Sequence, residues 1–277
     1  MTARGLSLSD GDHMAHGGPA MIRGRESLEA IAILALEFGR LLMESGSSAR
    51  HVDEITTQVA VGLGAERVDL RVDYASLAIT IGAGTDAVTR IRRVGPLGVN
   101  ERLHRALSDA AGRIGQGGFT LTEARAKLAH LRQNSPSQPR WFVAVTVGVA
   151  CAAFGRLLGV DWAGVAPILI ASALGQMVRR RLGLHHVNVF ISAPAAAFLG
   201  SALCGLGARW AGSQTLATDI IAPVLLLVPG VPAFNAEYDI LEGYPTIGGS
   251  RAIWVVVMVV FMTVGVWLAQ GFLGVRR

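Results

Sequence analysis

Residues 252–275 read AIWVVVMVVFMTVGVWLAQGFLGV, 24 positions without one formal charge. About 20 apolar residues in a helix cross the hydrocarbon core of a bilayer. This run is long enough to span alone. Four more uncharged runs precede it: 141–155, 162–178, 187–208 and 220–236. The run 187–208 also spans alone. The two runs of 17 residues stand at the short limit. The first reaches that limit if Arg156 snorkels and Leu157 and Leu158 extend it. Five apolar runs this close together do not suit soluble core helices. Residues 141–275 are therefore expected to form an all-α polytopic membrane domain of five transmembrane helices.

Charge is distributed to match. Residues 1–140 hold 32 charged side chains and residues 141–277 hold 13. Over the whole 277 residues only 16% are charged, against about 25% in soluble domains. A disordered chain, a coiled coil, a secreted disulfide scaffold and a wholly soluble enzyme are all disfavoured. The net charge of +5 is spread over both halves. It forms no basic stripe on one face, so no nucleic-acid partner is expected. Cys151 and Cys204 lie in apolar runs and read as small buried hydrophobes, not as metal ligands or a redox pair.

The first half has a different pattern. Residues 1–25 are rich in Gly, Ser, Asp and His, with no apolar run of signal-peptide length. They read as a disordered tail. Ile31, Leu34, Ala35, Phe38, Leu41 and Leu42 then recur at helical spacing up to Gly46. Val52, Ile55, Val59 and Leu63 mark a second helix, ended by Gly64. The period switches to two at Val68, Leu70, Val72 and Tyr74, and again at Leu77, Ile79 and Ile81. After a turn at 82–86, residues 87–94 read as a third strand with Arg90 and Arg92 on one face. Leu103, Leu107, Ala110 and Ile114 mark a third helix. A capping box, Thr120 with Glu123, opens a fourth. Residues 26–133 are thus expected to be a cytoplasmic α+β domain, a β-meander with flanking helices. Residues 134–140 read as a linker.

Lys and Arg near span ends set orientation. With the N-terminus inside, eight lie inside: Arg125, Lys127, Arg132, Arg140, Arg179, Arg180, Arg181 and Arg251. Four lie outside: Arg156, Arg209, Arg276 and Arg277. The N-terminal domain is expected in the cytoplasm. Small residues four apart, Gly148 with Ala152 and Ala171 with Gly175, permit close helix approach in lipid. Pro167, Pro194, Pro223, Pro229 and Pro232 lie within apolar runs, and each lacks an N–H. Three of them in the fourth run predict a broken helix.

No nucleophile elbow, zinc-protease motif, Walker A loop or dinucleotide fingerprint is present. No catalytic residue, cofactor or metal site is assigned. His51, Asp53 and Glu54 read as a solvated helix face, and His185 with His186 as interfacial. Asp161 and Asp219 edge the second and fourth spans, where ionisable groups are costly and often functional. The segment Pro229-Gly-Val-Pro-Ala-Phe-Asn-Ala-Glu-Tyr-Asp239 combines a break, an amide and two carboxylates. Its Asn235 and Asp239, four apart, share a face if helix resumes. The candidate substrate- or ion-binding residues are Pro229, Gly230, Pro232, Asn235, Asp239, Asp219 and Asp161.

Leu42-Met-Glu-Ser-Gly46 leading to His51-Val52-Asp53, and Val228-Pro-Gly-Val-Pro232 followed by Asn235, Asp239 and Gly243, resemble motifs of the threonine/serine exporter family. His51 and Asp53 depart from the Arg and Glu expected in the family pattern. The resemblance covers roughly residues 28–272, and the order of domains agrees. It implies secondary transport, driven by an ion gradient, of a small polar metabolite: threonine or serine, or a dicarboxylate such as succinate in two-subunit members. It also implies a second membrane subunit carrying the remaining spans. A larger oligomer and an inner-membrane location are expected, and, with no nucleophile in a recognisable activating context, a transporter and not an enzyme. A membrane-anchored hydrolase and a non-catalytic regulatory subunit are the alternatives.

Overall fold

The computed structural model of this chain describes residues 18–82, 84–134 and 138–275. The first helix, α1, runs Gly18–Glu44. It begins earlier than the expected tail boundary at residue 25, and residues 1–17 lie outside the described residues. Pro19 falls in its first turn, where a missing N–H has no helical acceptor to lose. Helix α2 (Ala49–Gly62) is capped by Ser48. The strands β1 (Val68–Val72), β2 (Ser76–Ile81) and β3 (Val88–Arg93) form an antiparallel meander in the order β1-β2-β3. Helices α3 (Glu101–Gly115) and α4 (Leu121–Asn134) complete the domain. The capping box is formed: Thr120 N–H donates to Glu123 Oε2 at 2.8 Å, and Glu123 N–H to Thr120 Oγ1 at 3.3 Å.

The core is what periodicity requires. Ile31, Leu34, Ala35, Phe38, Leu41 and Leu42 of α1 are buried together with Leu77, Ile79 and Ile81 of β2. Register sets Arg90 opposite Ile79 and Arg92 opposite Leu77. Both arginines therefore stand on the helix-covered face of the edge strand. They are accommodated there because α1 offers carboxylates: Arg90 pairs with Glu29 at 2.5 Å and Arg92 with Glu37 at 3.4 Å.

The second half is a helical bundle. Helices α5 (Arg140–Leu157), α6 (Trp162–Leu184), α7 (Val189–Trp210) and α10 (Pro245–Phe272) are each long and apolar enough to span. The fourth predicted span is broken, as its prolines require. Helix α8 (Leu216–Ile221) continues as a 3-10 turn through Leu227, and α9 (Gly230–Leu241) leaves it at 60°. Pro229 removes the donor for the Leu225 carbonyl, and Pro232 the donor for Val228. Gly230 N–H turns back to Val228 O instead, at 2.8 Å. Counting the bent pair as one, up to five segments among the described residues are long and apolar enough to span. Pro167 and Pro194 break nothing, and α6 and α7 continue through them.

Small residues let the helices touch. A Cβ at Gly148 would lie 2.5 Å from the Leu169 carbonyl, and one at Gly265 the same distance from the Pro194 carbonyl. Cys151 and Cys204 are free and buried.

Candidate functional site

The hairpin of α9 and α10, with its elbow at Glu242–Tyr244, places the end of α9 and the start of α10 beside the N-terminal domain. Asp239 lies on α9 and is 0% exposed; Arg251 lies on α10 and is 2% exposed. Arg251 Nη1 donates to Asp239 Oδ2 at 2.5 Å. Two buried charges are tolerable only when paired and hydrogen-bonded further. Both are. Asp239 Oδ1 accepts the Ala49 N–H, the first of α2, at 2.7 Å. Arg251 Nη2 donates to the Ser47 carbonyl at 2.9 Å. An unpaired helix N-terminal N–H favours an anion, and Asp239 supplies one.

Asn235, one turn earlier, shares that face as expected. Its Nδ2 donates to the Gly46 carbonyl at 2.8 Å. Gly46 has φ +100, and a Cβ there would stand 3.0 Å from the Gly98 carbonyl, so this turn requires glycine. Outward from the ion pair, Arg50 pairs with Glu242. Tyr244 O–H donates to Asp53 Oδ2 at 2.6 Å. The α1–α2 loop and the first turns of α2 are thus fastened to the elbow by five polar contacts. Rather than facing an open path, Asn235 and Asp239 face this loop.

The predicted residues do not form one site. Pro229 and Gly230 form the break in the middle of the span, with Pro232 in the first turn of α9. Asp161 and Asp219 lie at the other end of the bundle, in the α5–α6 turn and the first turn of α8. There Asp161 caps α6 through Gly164 N–H at 2.9 Å and accepts Gln214 N–H at 2.7 Å. The Gln214 amide, helped by Gly164 and Ser213, holds its carboxyl below the ordinary range. Ser213 Oγ lies 3.0 Å from Asp161 Oδ1 and 2.5 Å from Asp219 Oδ2. Asp219 is 0% exposed and takes a second hydroxyl, Thr215 Oγ1, at 3.1 Å. These two carboxylates join the far loops to each other.

Arg251 was legible in sequence only as an orientation charge. The signal that could have found it is its place: one cation directly before 24 uncharged residues, with an acid twelve positions upstream. The reading of His51 and Asp53 as a solvated face is corrected. Asp53 takes the Tyr244 hydroxyl, and His51 is half-buried against His104, with ring centroids 5.1 Å apart. Burial, and then the charge of His104, hold the His51 imidazole below its usual pKa. Two Ser–His contacts also appear: His51 Nε2 with Ser108 Oγ at 2.9 Å, and His104 Nε2 with Ser47 Oγ at 3.3 Å. Neither imidazole is hydrogen-bonded to a carboxylate among the described residues.

Both resembling motifs meet here, the loop after α1 with Asn235 and Asp239, which follow the Pro-Gly-Val-Pro segment. The family model described as "Putative threonine/serine exporter" matches residues 33–273. The chain belongs to that family. Among curated proteins it is similar to the "Probable succinate transporter subunit YjjP" of Escherichia coli strain K12, 26% identical over 253 residues, which cover 91% of this chain and 98% of the relative. The protein of the same name from Klebsiella aerogenes is 25% identical over 249 residues, covering 89% and 95%. No solved structure matches. This exporter-family chain is accordingly a multi-pass membrane protein of a transporter family, and its relatives are named as transporter subunits.

Proposed function

We propose that this chain is one subunit of a secondary transporter in the inner membrane, with its N-terminal domain in the cytoplasm. It exports a small polar metabolite, threonine or serine or a dicarboxylate such as succinate. A second membrane subunit supplies the rest of the pathway, in a larger oligomer. The observation that carries this reading is the 60° break at Val228–Pro229 inside an apolar span. Interrupted helices expose backbone groups at membrane depth, and they are tolerated where those groups are buried in protein or line a water-filled path. Transporters use such half-helix ends to hold ions and zwitterions. The substrate sits at Pro229, Gly230 and Pro232. Asp239 and Arg251, at the end of the same half-helix, close the cytoplasmic side through the α1–α2 loop.

Gly230→Leu tests this. Nothing lies within 4 Å of a Cβ at Gly230, so the variant should fold. Reconstituted with its second subunit, it should lose transport of threonine and succinate alike. Unchanged transport would place the path elsewhere. The Ser–His contacts favour a second reading, a hydrolase in the N-terminal domain. An esterase and peptidase screen that gives a hit lost in His51→Ala would support that reading instead.

A further inference from the structure

A cavity of about 210 Å³ opens between α1, β3 and α4, apart from the elbow. Leu34 and Leu128 contribute an apolar floor. Glu37, Arg92, Arg125 and Arg132 stand around it. The arginines come from two elements, β3 and α4: Arg92 and Arg132 approach the Glu37 carboxylate of α1, and Arg125 lines the same cavity.

The charges do not balance. Glu37 is bound closely by its neighbour Arg40, at 2.5 and 3.1 Å. Arg92 and Arg132 reach it only at 3.4 and 3.9 Å. Arg125 forms no ion pair among the described residues. Arg40 is shared with Glu44 at 2.8 Å. Four guanidinium groups thus face two carboxylates. Burial pushes the Glu37 carboxyl up, yet Arg40, Arg92 and Arg132 together hold it below the usual range. A guanidinium is a planar fork of donors matched to an oxyanion. Three loosely engaged forks over an apolar floor suit an oxyanion carried on an apolar stem, or a free one at the rim. Arg132 also lies eight residues before Arg140, which opens the first membrane helix. Basic groups in such a position meet anionic headgroups.

We propose that this cavity binds a phosphate-type oxyanion, with Arg92, Arg125 and Arg132 as donors and Glu37 as the resident competitor. The site is separate from the transport path and does not rest on the transporter reading. Its ligand chemistry has two sources, a free phosphate group and a phospholipid headgroup.

The test uses the purified full chain and its thermal midpoint, followed by tryptophan fluorescence. One arm titrates inorganic phosphate in neutral detergent against sodium chloride at matched ionic strength, which removes general screening. The other compares phosphatidylcholine vesicles with and without phosphatidylglycerol. A rise in the first arm alone identifies a free anion, and a rise in the second alone a lipid headgroup. The Arg125→Gln/Arg132→Gln variant changes two exposed side chains and should fold. Its response should weaken on the order of tenfold or more, the weight of a charge-assisted hydrogen bond. Glu37→Gln should start from a lower midpoint and respond at lower anion concentration, because the competitor is gone. The proposal is overturned if neither anion raises the midpoint beyond chloride. It is equally overturned if the double arginine variant responds as the parent does.

Discussion

Replacing Asp239 with Asn removes the charge while keeping an acceptor for the Ala49 N–H. Arg251, 2% exposed, would then retain only the Ser47 carbonyl as a strong partner. Breaking a buried pair from one side costs about 3–5 kcal/mol, because the remaining charge is stranded. Arg251→Gln should cost a similar amount by stranding Asp239 against one N–H. The double variant Asp239→Asn/Arg251→Gln strands no charge. Its two amides can bond each other, the Ala49 N–H and the Ser47 carbonyl, so its loss should be about 1–2 kcal/mol. The double variant should therefore be more stable than either single variant, with a coupling of several kcal/mol. The assay is thermal unfolding of the full chain in detergent, read from its five tryptophans. If the double variant loses the sum of the two single losses, the pair is not coupled and the account of the elbow fails.

The His51 imidazole is held below its ordinary pKa of 6.5 by burial and by His104. A lowered folded-state pKa means that the fold favours the neutral ring. Its contribution is present above pH 6.5 and is lost as pH falls below that value. Acid titration of the thermal midpoint should show this loss, and His51→Gln should flatten it. Gly265→Val places a side chain 2.5 Å from the Pro194 carbonyl and 3.2 Å from Ala197 Cβ. It should force α7 and α10 apart at a cost of about 1–3 kcal/mol, whereas Gly271→Ala, with open space, should leave the same midpoint unchanged.

Much of the architecture is local and could be read from the chain. The three strands follow from alternation at 68–81 and 87–94, and the buried face of α1 from residues three and four apart. The break in the fourth span follows from Pro229 and Pro232, because a missing N–H acts wherever the helix lies. Both site motifs were also visible as segments. Their meeting was not. Asn235 and Gly46 are 189 positions apart, and Asp239 and Ala49 are 190 apart. Nor could the sequence show that Asp161 and Asp219 stand at the opposite end of the bundle from Asp239.

By itself the sequence determined the order and kind of the helices, strands and apolar spans, since periodicity, capping and length act on neighbouring residues, although α1 starts earlier, at Gly18, and α10 at Pro245. Only the tertiary structure decided that Arg251 is a partner of Asp239 and not a free charge at the membrane edge. That choice depends on how α9 folds back on α10 and on which loop of the N-terminal domain covers them. A buried ion pair is settled by whether four donors and acceptors from three distant segments arrive within hydrogen-bonding distance, and no local pattern encodes that arrival.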